Sequence, residues 1–213
     1  MDEVFSQQYN HAEAIEEWEE KRLEELCVKT LTINWRNNLN KDFEYIDLTA
    51  VSRDTLKIEN TVTITAENAP SRAKKIVNNQ DVIFATTRPT LKRVTIINEE
   101  LSDQVCSTGF VVLRGNRNRI KAKWIFYFLQ SNRFIKRMEE MQRGTSYPAV
   151  TDKDVKDSLI PLPKMHIQQE IIHKLDDLNF HVDSMIHLYK SKLGNLDELK
   201  KSILQKAFNG ELT

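Results

Sequence analysis

Few residues of this sequence stand at spacings that support catalysis or nucleotide binding. The five glycines are isolated from one another, so the glycine-rich loops that cradle a phosphate or a dinucleotide are missing. Glu19-Glu20-Lys21 matches half of a nuclease signature, but no Pro-Asp pair accompanies it. His166 and His173 are seven residues apart, about 10.5 Å along a helix, which is too far to share one metal ion. These patterns predict a protein that is not an enzyme and that holds no cofactor or metal of its own.

Charge is distributed very unevenly along the chain, although the formal net charge is zero. Residues 1–26 carry a net −7, residues 27–165 a net +8 and residues 166–213 a net −1. A central segment with such a surplus of Lys and Arg is typical of a module that binds a polyanion. The alternative is an ordinary basic surface with no specific partner.

Cysteine usage and hydropathy restrict the class of protein further. Cys27 and Cys106 permit one disulfide but no disulfide scaffold. No apolar run approaches the roughly 18 residues of a membrane span, and the first ten residues lack the order of a secretory signal. The sequence therefore predicts a cytoplasmic protein that makes no contact with a membrane.

The elements that must position the basic residues predict an α+β domain with a twisted β-sheet and flanking helices. Residues 1–17 form an acidic segment, and the stretch His11–Glu20 is predicted to be helical, ending near Trp18. A globular domain is expected over residues 18–163. Short β-branched runs predict strands in it, at Phe43–Leu48, Val62–Thr65, Asp81–Thr86, Val94–Ile97 and Gln104–Leu113. Helices are predicted at Lys121–Gln130 and Phe134–Met141, and after a start signal at Thr151 and Asp154.

Residues 164–213 are predicted to form one long helix with an apolar stripe. Steps of three and four residues, the pattern of a coiled coil, separate its dimerisation candidates Ile171, Leu175, Leu178, Val182, Met185, Tyr189, Leu193, Leu196, Leu199 and Ile203. The stretch Ile167–Phe208 would be about 63 Å long, too long to bury its stripe against one small domain. We therefore expect another helix against it. Gly194 indicates a bend or a close crossing, and Asn209-Gly210 ends the helix.

Short motifs, in their order along the chain, resemble those of one family. They are Trp18 with Leu23 and Leu26, Tyr45-Ile-Asp, Ala69-Pro-Ser-Arg-Ala73, Asp81-Val-Ile-Phe84, Arg88-Pro89, Ser107-Thr-Gly-Phe110, Gly144-Thr-Ser-Tyr-Pro148, Ile160-Pro-Leu-Pro163 with Gln168, and Ile203-Leu-Gln-Lys-Ala-Phe-Asn-Gly-Glu-Leu212. Over residues 18 to 212 the chain thus resembles the specificity subunit of type I restriction–modification systems. It departs from the family at Lys164-Met165, where a second Pro-Leu pair is common, and this affects the expected linker geometry.

The resemblance implies a target-recognition domain, which reads a few base pairs of double-stranded DNA in the major groove, followed by a long helix. Family members carry this unit twice with the two helices antiparallel, so this chain resembles a half-subunit. The resemblance also implies that modification methyltransferase subunits, and through them restriction subunits, dock on it. S-adenosylmethionine, ATP and magnesium would then belong to those partners.

Base reading needs side chains with paired donors or acceptors on loops held by a sheet. The candidates for DNA contact are Arg72, Lys74, Lys75, Arg88, Lys92, Arg93, Arg143, Thr145, Ser146 and Tyr147. Arg114, Arg117 and Arg119 are candidates for phosphate contacts. Alternatives remain open: Arg88 as a structural tie, Lys74 and Lys75 as solvated charges, and Tyr147-Pro148 as a lock for its loop.

The exposed stripe predicts an antiparallel homodimer through the long helix. A closed two-fold dimer requires two inverted DNA half-sites separated by a fixed spacer. Three other interpretations stay open at this point. They are a coiled-coil scaffold protein with an incidental positive charge, a small nuclease with an unrecognised site, and an orphan half that pairs with an unlike specificity chain.

Overall fold

The structure is a computed structural model that describes residues 18–211, so the predicted acidic helix over residues 1–17 lies outside the described residues. The strands are β1 (Glu19–Arg22), β2 (Cys27–Val28), β3 (Phe43–Ile46), β4 (Val62–Ile64), β5 (Ala73–Val77), β6 (Val82–Ala85), β7 (Val94–Ile96), β8 (Gln104–Ser107), β9 (Phe110–Gly115) and β10 (Leu159–Leu162). The α-helices are α1 (Leu23–Leu26), α2 (Ala122–Phe128), α3 (Asn132–Met141), α4 (Asp152–Lys156) and α5 (Met165–Phe208). The predicted α+β class is confirmed.

Within the described residues the β-structure is divided among three sheets rather than the single sheet that the sequence suggests. The first sheet has the order β2-β9-β6-β7 and is antiparallel throughout. The second has the order β4-β3-β8-β5, with β3 and β8 parallel and the other pairs antiparallel. Strands β1 and β10 form a separate antiparallel ribbon.

One hydrophobic core joins the two four-stranded sheets. Ile46 and Cys106 of the second sheet belong to the same buried cluster as Ile83 and Phe110 of the first, and all four are fully buried. Burial of apolar side chains is the main stabilising contribution in a domain of this size. The shared core therefore fixes the loops of both sheets relative to each other.

The predicted strand Gln104–Leu113 is two strands, β8 and β9, which lie in different sheets. The chain crosses from one sheet to the other at Thr108-Gly109. A Cβ atom at Gly109 would lie 2.8 Å from the Leu48 Cδ1 atom, so a side chain at this position would require the Leu48 side chain to move. The short polar stretch Ser107-Thr108-Gly109 separates the two buried runs and marks the crossing in the sequence.

Of the strands in residues 18–211, four were not predicted: β1, β2, β5 and β10. β5 has Lys74 and Lys75 at its centre, and these charges interrupt the apolar pattern although Ala73 and Val77 are fully buried. Of the stretch His11–Glu20, predicted as a helix that ends near Trp18, Glu19 and Glu20 instead lie in β1, where they pair with Leu162 and Pro161 of β10. Pairing with a strand distant in sequence overrode the local helical composition.

The predicted helices of the domain are confirmed as α2 and α3, and the start signal at Thr151 is confirmed as a capping box. The Thr151 hydroxyl accepts a hydrogen bond from Asp154 N at 3.1 Å, and the Asp154 carboxylate accepts one from Thr151 N at 2.8 Å. The helix that follows, α4, has only five residues.

Helix α5 has 44 residues, about 66 Å at 1.5 Å per residue, and is continuous through Gly194. It ends at Phe208, followed by Gly210 with a φ of +74°, a left-handed conformation that favours glycine. Among residues 18–211, none of the helices combines the length and the hydropathy needed to span a membrane.

The chain divides into two compact units, one up to Gln168 and one from Gln169 onwards. In the second unit the stripe residues from Leu178 to Ile203 are between 42% and 63% exposed, whereas Leu175 is buried and Ile171 is partly buried. Eight of the ten predicted stripe positions therefore present their side chains to solvent in a single chain.

Candidate nucleic-acid interface

Four loops of the first unit meet at one end of the two sheets, and we call residues 69–72, 86–92, 107–109 and 143–149 the loop edge. Backbone hydrogen bonds of 2.7–2.9 Å join them in series, from Thr108 N to Arg72 O, Thr86 N to Gly109 O, Arg88 N to Pro148 O and Val150 N to Thr86 O. Such a continuous network makes the four loops one rigid surface, although they are far apart in sequence.

The turn after β6 holds Arg88 in an unusual backbone conformation. Arg88 has φ +50° and ψ 59°, and Lys92 has φ +52°, both in the left-handed region. The residue before a proline normally prefers an extended conformation, and Arg88 precedes the buried Pro89. A non-glycine residue in this region costs on the order of 1–3 kcal/mol and persists only when its surroundings fix it. The hydrogen bond from Arg88 N to Pro148 O, 2.7 Å long, is part of that fixation.

The Arg88 side chain stacks on Tyr147 from the neighbouring loop. Its guanidinium carbon lies 4.9 Å from the centre of the Tyr147 ring, a cation–π distance, and Arg88 Nη2 is 3.4 Å from Ser146 O. Tyr147 is 71% exposed. An exposed aromatic ring and an exposed cation are therefore held together on the loop edge.

The loop that carries Tyr147 is a short hairpin closed by Arg143 and Ala149. Each backbone N–H of this pair donates to the carbonyl of the other at 2.9 Å, and Ala149 also forms a bridge with Thr87. Gly144 has φ +92°, which excludes other residue types without strain. The Tyr147 loop and the Arg88 turn are thus connected through backbone contacts on both sides.

Asp154 anchors this hairpin to α4. Its carboxylate, with the side chain only 10% exposed, accepts hydrogen bonds from Thr151 N and Thr151 Oγ1, both 2.8 Å, and from Arg143 Nη1 at 3.0 Å. The hydrogen bond from the Thr151 backbone is the first cause that holds the pKa of Asp154 below its usual value, and the Thr151 hydroxyl and Arg143 add to it.

The ten predicted contact residues differ in exposure. Seven are exposed, and all of them except Lys74, which lies in β5 next to it, belong to the loop edge: Arg72, Lys74, Arg88, Arg143, Thr145, Ser146 and Tyr147. Lys92 is partly exposed. Lys75 and Arg93 are partly buried and make polar contacts inside the domain, and Arg143, although its side chain is exposed, pairs with Asp154.

Lys75 and Arg93 connect elements beneath the loop edge. Lys75 Nζ donates to Phe110 O at 2.6 Å and to an Asp152 oxygen at 2.5 Å, with its side chain 17% exposed. Arg93 Nη1 donates to Leu48 O at 2.7 Å and to Val51 O at 3.0 Å. Lys75 thus neutralises the Asp152 carboxylate, and Arg93 supplies hydrogen bonds to two backbone carbonyls, so both cations serve the domain itself.

The three arginines predicted as phosphate contacts lie at the other end of the first sheet. Strand β9 runs from Phe110, beside the loop edge, to Gly115, a span of about 20 Å at 3.4 Å per residue. Arg114 makes a bidentate pair with the buried Asp81, with both distances 2.8 Å, and Arg119 Nη1 donates to Glu25 O at 2.9 Å. Arg117 is exposed. The basic loop therefore holds the domain together at a distance from the Arg88 turn.

Several residues that build the site were not predicted from the sequence. Thr86 is buried and donates through Oγ1 to Gly109 O at 2.9 Å, and the Ser107 hydroxyl accepts from Gly109 N at 3.2 Å. Asp152 and Asp154 hold Lys75 and Arg143. The capping-box spacing of Thr151 and Asp154 was a visible signal for the start of α4, but nothing local indicated its link to the Tyr147 loop.

The described residues contain neither a cluster of metal ligands nor an activated cysteine thiol. Within residues 18–211, no group of three or more His, Cys, Asp or Glu side chains is arranged to hold a metal ion. Burial raises the pKa of both Cys27 and Cys106 to about 12, so neither thiol is activated.

The fold and this surface together describe a binding module: an α+β domain with a rigid edge of cationic and polar loops, followed by a long helix with an exposed apolar stripe. The family model of the type I restriction modification DNA specificity domain matches residues 15–188, so the chain belongs to this family.

Relatives with curated names agree with this membership. The chain is 27% identical over 147 residues to the type I restriction enzyme EcoDI specificity subunit of Escherichia coli, covering 69% of this chain and 32% of that protein. It is 26% identical over 145 residues to the HindI specificity subunit of Haemophilus influenzae, covering 67% and 30%. The matched region is thus about a third of the length of these relatives.

Solved structures share the fold over most of the chain. The HsdS subunit from Thermoanaerobacter tengcongensis is 36% identical with a TM-score of 0.76, covering 89% of this chain and 49% of that one. A chain from a structural study of complex assembly and conformational transition of the type I R–M system is also 36% identical, with a TM-score of 0.81 and the same coverage. This chain therefore corresponds to about half of each.

Proposed function

We propose that this chain is a half-size specificity subunit, which binds a double-stranded DNA sequence and dimerises to read a bipartite site. It has no catalytic role of its own in this proposal. The single observation that carries it is the loop edge: cationic and polar side chains exposed on four loops that a continuous hydrogen-bond network holds rigid, in a chain of the DNA specificity family.

The loop edge suits base reading because its side chains offer paired donors on a fixed frame. Base contacts specify a sequence, whereas phosphate contacts set register and orientation. Arg88, Thr145 and Ser146 project from turns whose backbone is fixed. Arg72 and Lys74 are exposed nearby and can neutralise phosphates without such constraint.

Homodimerisation through α5 follows from the exposed stripe and from the length of the chain. Soluble monomers seldom expose a contiguous apolar patch of more than a few hundred Å², and here eight large stripe residues between Leu178 and Ile203 are 42–63% exposed. The chain matches 49% of the length of the HsdS chain, so a second copy would supply the remaining half. An antiparallel pair would place the two loop edges at opposite ends and would require inverted half-sites.

The partners in this proposal are type I modification methyltransferase subunits, and through them the restriction subunits. In the assembled complex, S-adenosylmethionine, ATP and magnesium would be cofactors of these partner subunits. The specificity subunit would contribute the position on DNA and the docking surface. Membrane association has no role in it.

The test compares the wild-type chain with a Leu178→Asp/Val182→Asp double variant. Light scattering should give a mass of about 50 kDa for the wild type, twice the 24.9 kDa of one chain, and about 25 kDa for the variant. The matched control is Ser184→Asp/Ser191→Asp, which adds the same charge on the side of the helix away from the stripe, given about 100° per residue. The control should remain dimeric.

DNA binding and site mapping complete the test. Affinity of the wild type should fall steeply with salt, with a log–log slope of about 0.9 per phosphate neutralised. Mapping of methylated sites in cells that contain the partner subunits should reveal two inverted half-sites. A monomeric wild type, or two unlike half-sites, would favour pairing with a different specificity chain. A salt slope of zero would favour a scaffold, and magnesium-dependent plasmid cleavage a nuclease.

A further inference from the structure

We infer that Arg88 and Tyr147 act as one guanine-reading unit, in which the tyrosine ring fixes the guanidinium of Arg88 for a bidentate contact with a base edge. This inference rests on the proposed function, because it names the residue pair and the base that a DNA-reading loop edge would recognise. The observations that carry it are the 4.9 Å stack, the exposure of both side chains and the constrained backbone of Arg88.

The guanidinium of Arg88 has donors to spare. A guanidinium carries five N–H groups, and the long contact of 3.4 Å from Nη2 to Ser146 O uses one of them. Among the described residues, no carboxylate lies within ion-pair distance of Arg88, in contrast to Arg114, which is occupied by Asp81. Arg88 can therefore offer two adjacent donors outwards, and the two acceptors of guanine, O6 and N7, match that spacing.

Stacking on Tyr147 and contact with a base are compatible. The cation–π contact uses the flat face of the guanidinium, whereas its N–H groups point outward in its own plane. The ring therefore restricts the orientation of the guanidinium while leaving the donors in the plane available. A tyrosine contributes this contact at low conformational cost, since it has only two rotatable side-chain bonds.

The backbone supports the same conclusion. Arg88 is held in the left-handed region between the buried Pro89 and the hydrogen bond to Pro148 O, the residue next to Tyr147. Strain of this kind persists where surrounding structure over-determines it, and it is concentrated at functional sites. The hydrogen bond from Arg88 N to Pro148 O joins the backbones of the two loops, so the folded backbone itself holds Arg88 and Tyr147 in position to stack.

A phosphate contact would not need this arrangement. Phosphate oxygens accept from a point charge in many orientations, as lysine demonstrates, and Arg72 and Lys74 provide exposed cations near the loop edge with no ring stacked on them among the described residues. The stack on Tyr147 and the strained turn restrict the orientation of the Arg88 guanidinium. A bidentate contact with a base edge requires such a fixed orientation.

The experiment measures coupling between protein and DNA atoms, using the full chain and its mapped site. Dissociation constants are compared for wild type, Arg88→Ala and Arg88→Lys on duplexes in which each guanine in turn is replaced by 7-deazaguanine, which lacks the N7 acceptor. At one guanine the replacement should weaken wild-type binding roughly 5- to 150-fold and should add little to Arg88→Ala. Arg88→Lys, which keeps the charge, should lose most of this selectivity.

Variants of the ring separate positioning from direct contact. Tyr147→Phe keeps the stack and should leave binding within about twofold, whereas Tyr147→Ala should weaken binding to the natural site and reduce the sensitivity to 7-deazaguanine at the same position. The matched control is Arg117→Ala, an exposed arginine at the other end of the sheet, which should leave the 7-deazaguanine sensitivity unchanged.

Three results would overturn the inference. One is an Arg88→Ala effect that adds fully to every 7-deazaguanine replacement, and another is coupling only to a neutral methylphosphonate in the backbone, which would make Arg88 a phosphate contact. The third is an unchanged thermal midpoint in Tyr147→Ala together with unchanged base selectivity. Absence of any DNA binding by the wild type would overturn the proposed function itself, which a base-selectivity result cannot do.

Discussion

Replacement of Arg114 by methionine tests whether the basic loop after β9 serves the fold or the DNA. Arg114 donates through Nε and Nη2 to the two oxygens of Asp81, both at 2.8 Å, and the Asp81 side chain is only 1% exposed. The same carboxylate also accepts from Asn78 N at 2.8 Å. Arg114→Met leaves this buried carboxylate without its cation.

The expected cost follows from the geometry. Removal of one partner of a buried, hydrogen-bonded pair costs roughly 3–5 kcal/mol, because the remaining charge is left uncompensated. For a unit of about 150 residues this corresponds to a fall in the unfolding midpoint of roughly 6–20 °C. Replacement of both residues, Asp81→Leu with Arg114→Met, should restore much of the stability because no charge is then buried.

Tryptophan fluorescence isolates this unit, since Trp18, Trp35 and Trp124 all precede Gln169. Urea and thermal unfolding of the full chain would be followed at this signal, with Arg117→Met as the matched control that removes an exposed cation. The control should change stability by less than about 0.5 kcal/mol. An Arg114→Met variant as stable as wild type but weaker in DNA binding would refute the structural role and restore the phosphate-contact hypothesis.

Three further predictions concern single side chains. Asp154→Asn should lower stability by about 1 kcal/mol at pH 7. Because the folded pKa of Asp154 is depressed, this difference should disappear as the pH falls from about 4 through the folded pKa, as urea titrations at several pH values would show. Gln168→Leu, at a fully buried position whose amide makes three hydrogen bonds, should lower stability by about 3 kcal/mol, whereas Gln169→Leu should have little effect in the same assay. Cys106, which is buried and has a pKa of about 12, should react with a thiol reagent at pH 8 only at the rate of unfolding, and rapid labelling of Cys106 in the folded protein would contradict this.

The sequence by itself determined the features that depend on local pattern. The long helix, the start of α4 at Thr151 and most strands of the domain follow from periodicity and capping chemistry, which act over a few residues. The order of short motifs also identified the family, which the match over residues 15–188 confirms. A helix stripe can be read from its spacing because positions three and four apart share a face.

The tertiary structure decided which of the basic residues are available. Lys75 and Arg93 appear in the sequence as free cations, but each forms polar contacts with residues that folding brings near, Lys75 with Asp152 at a separation of 77 positions. Ion pairing between distant residues leaves no trace in local spacing. The same reason applies to the stack of Arg88 on Tyr147, 59 positions apart in the sequence, since only the packing of two loops against a shared core creates it.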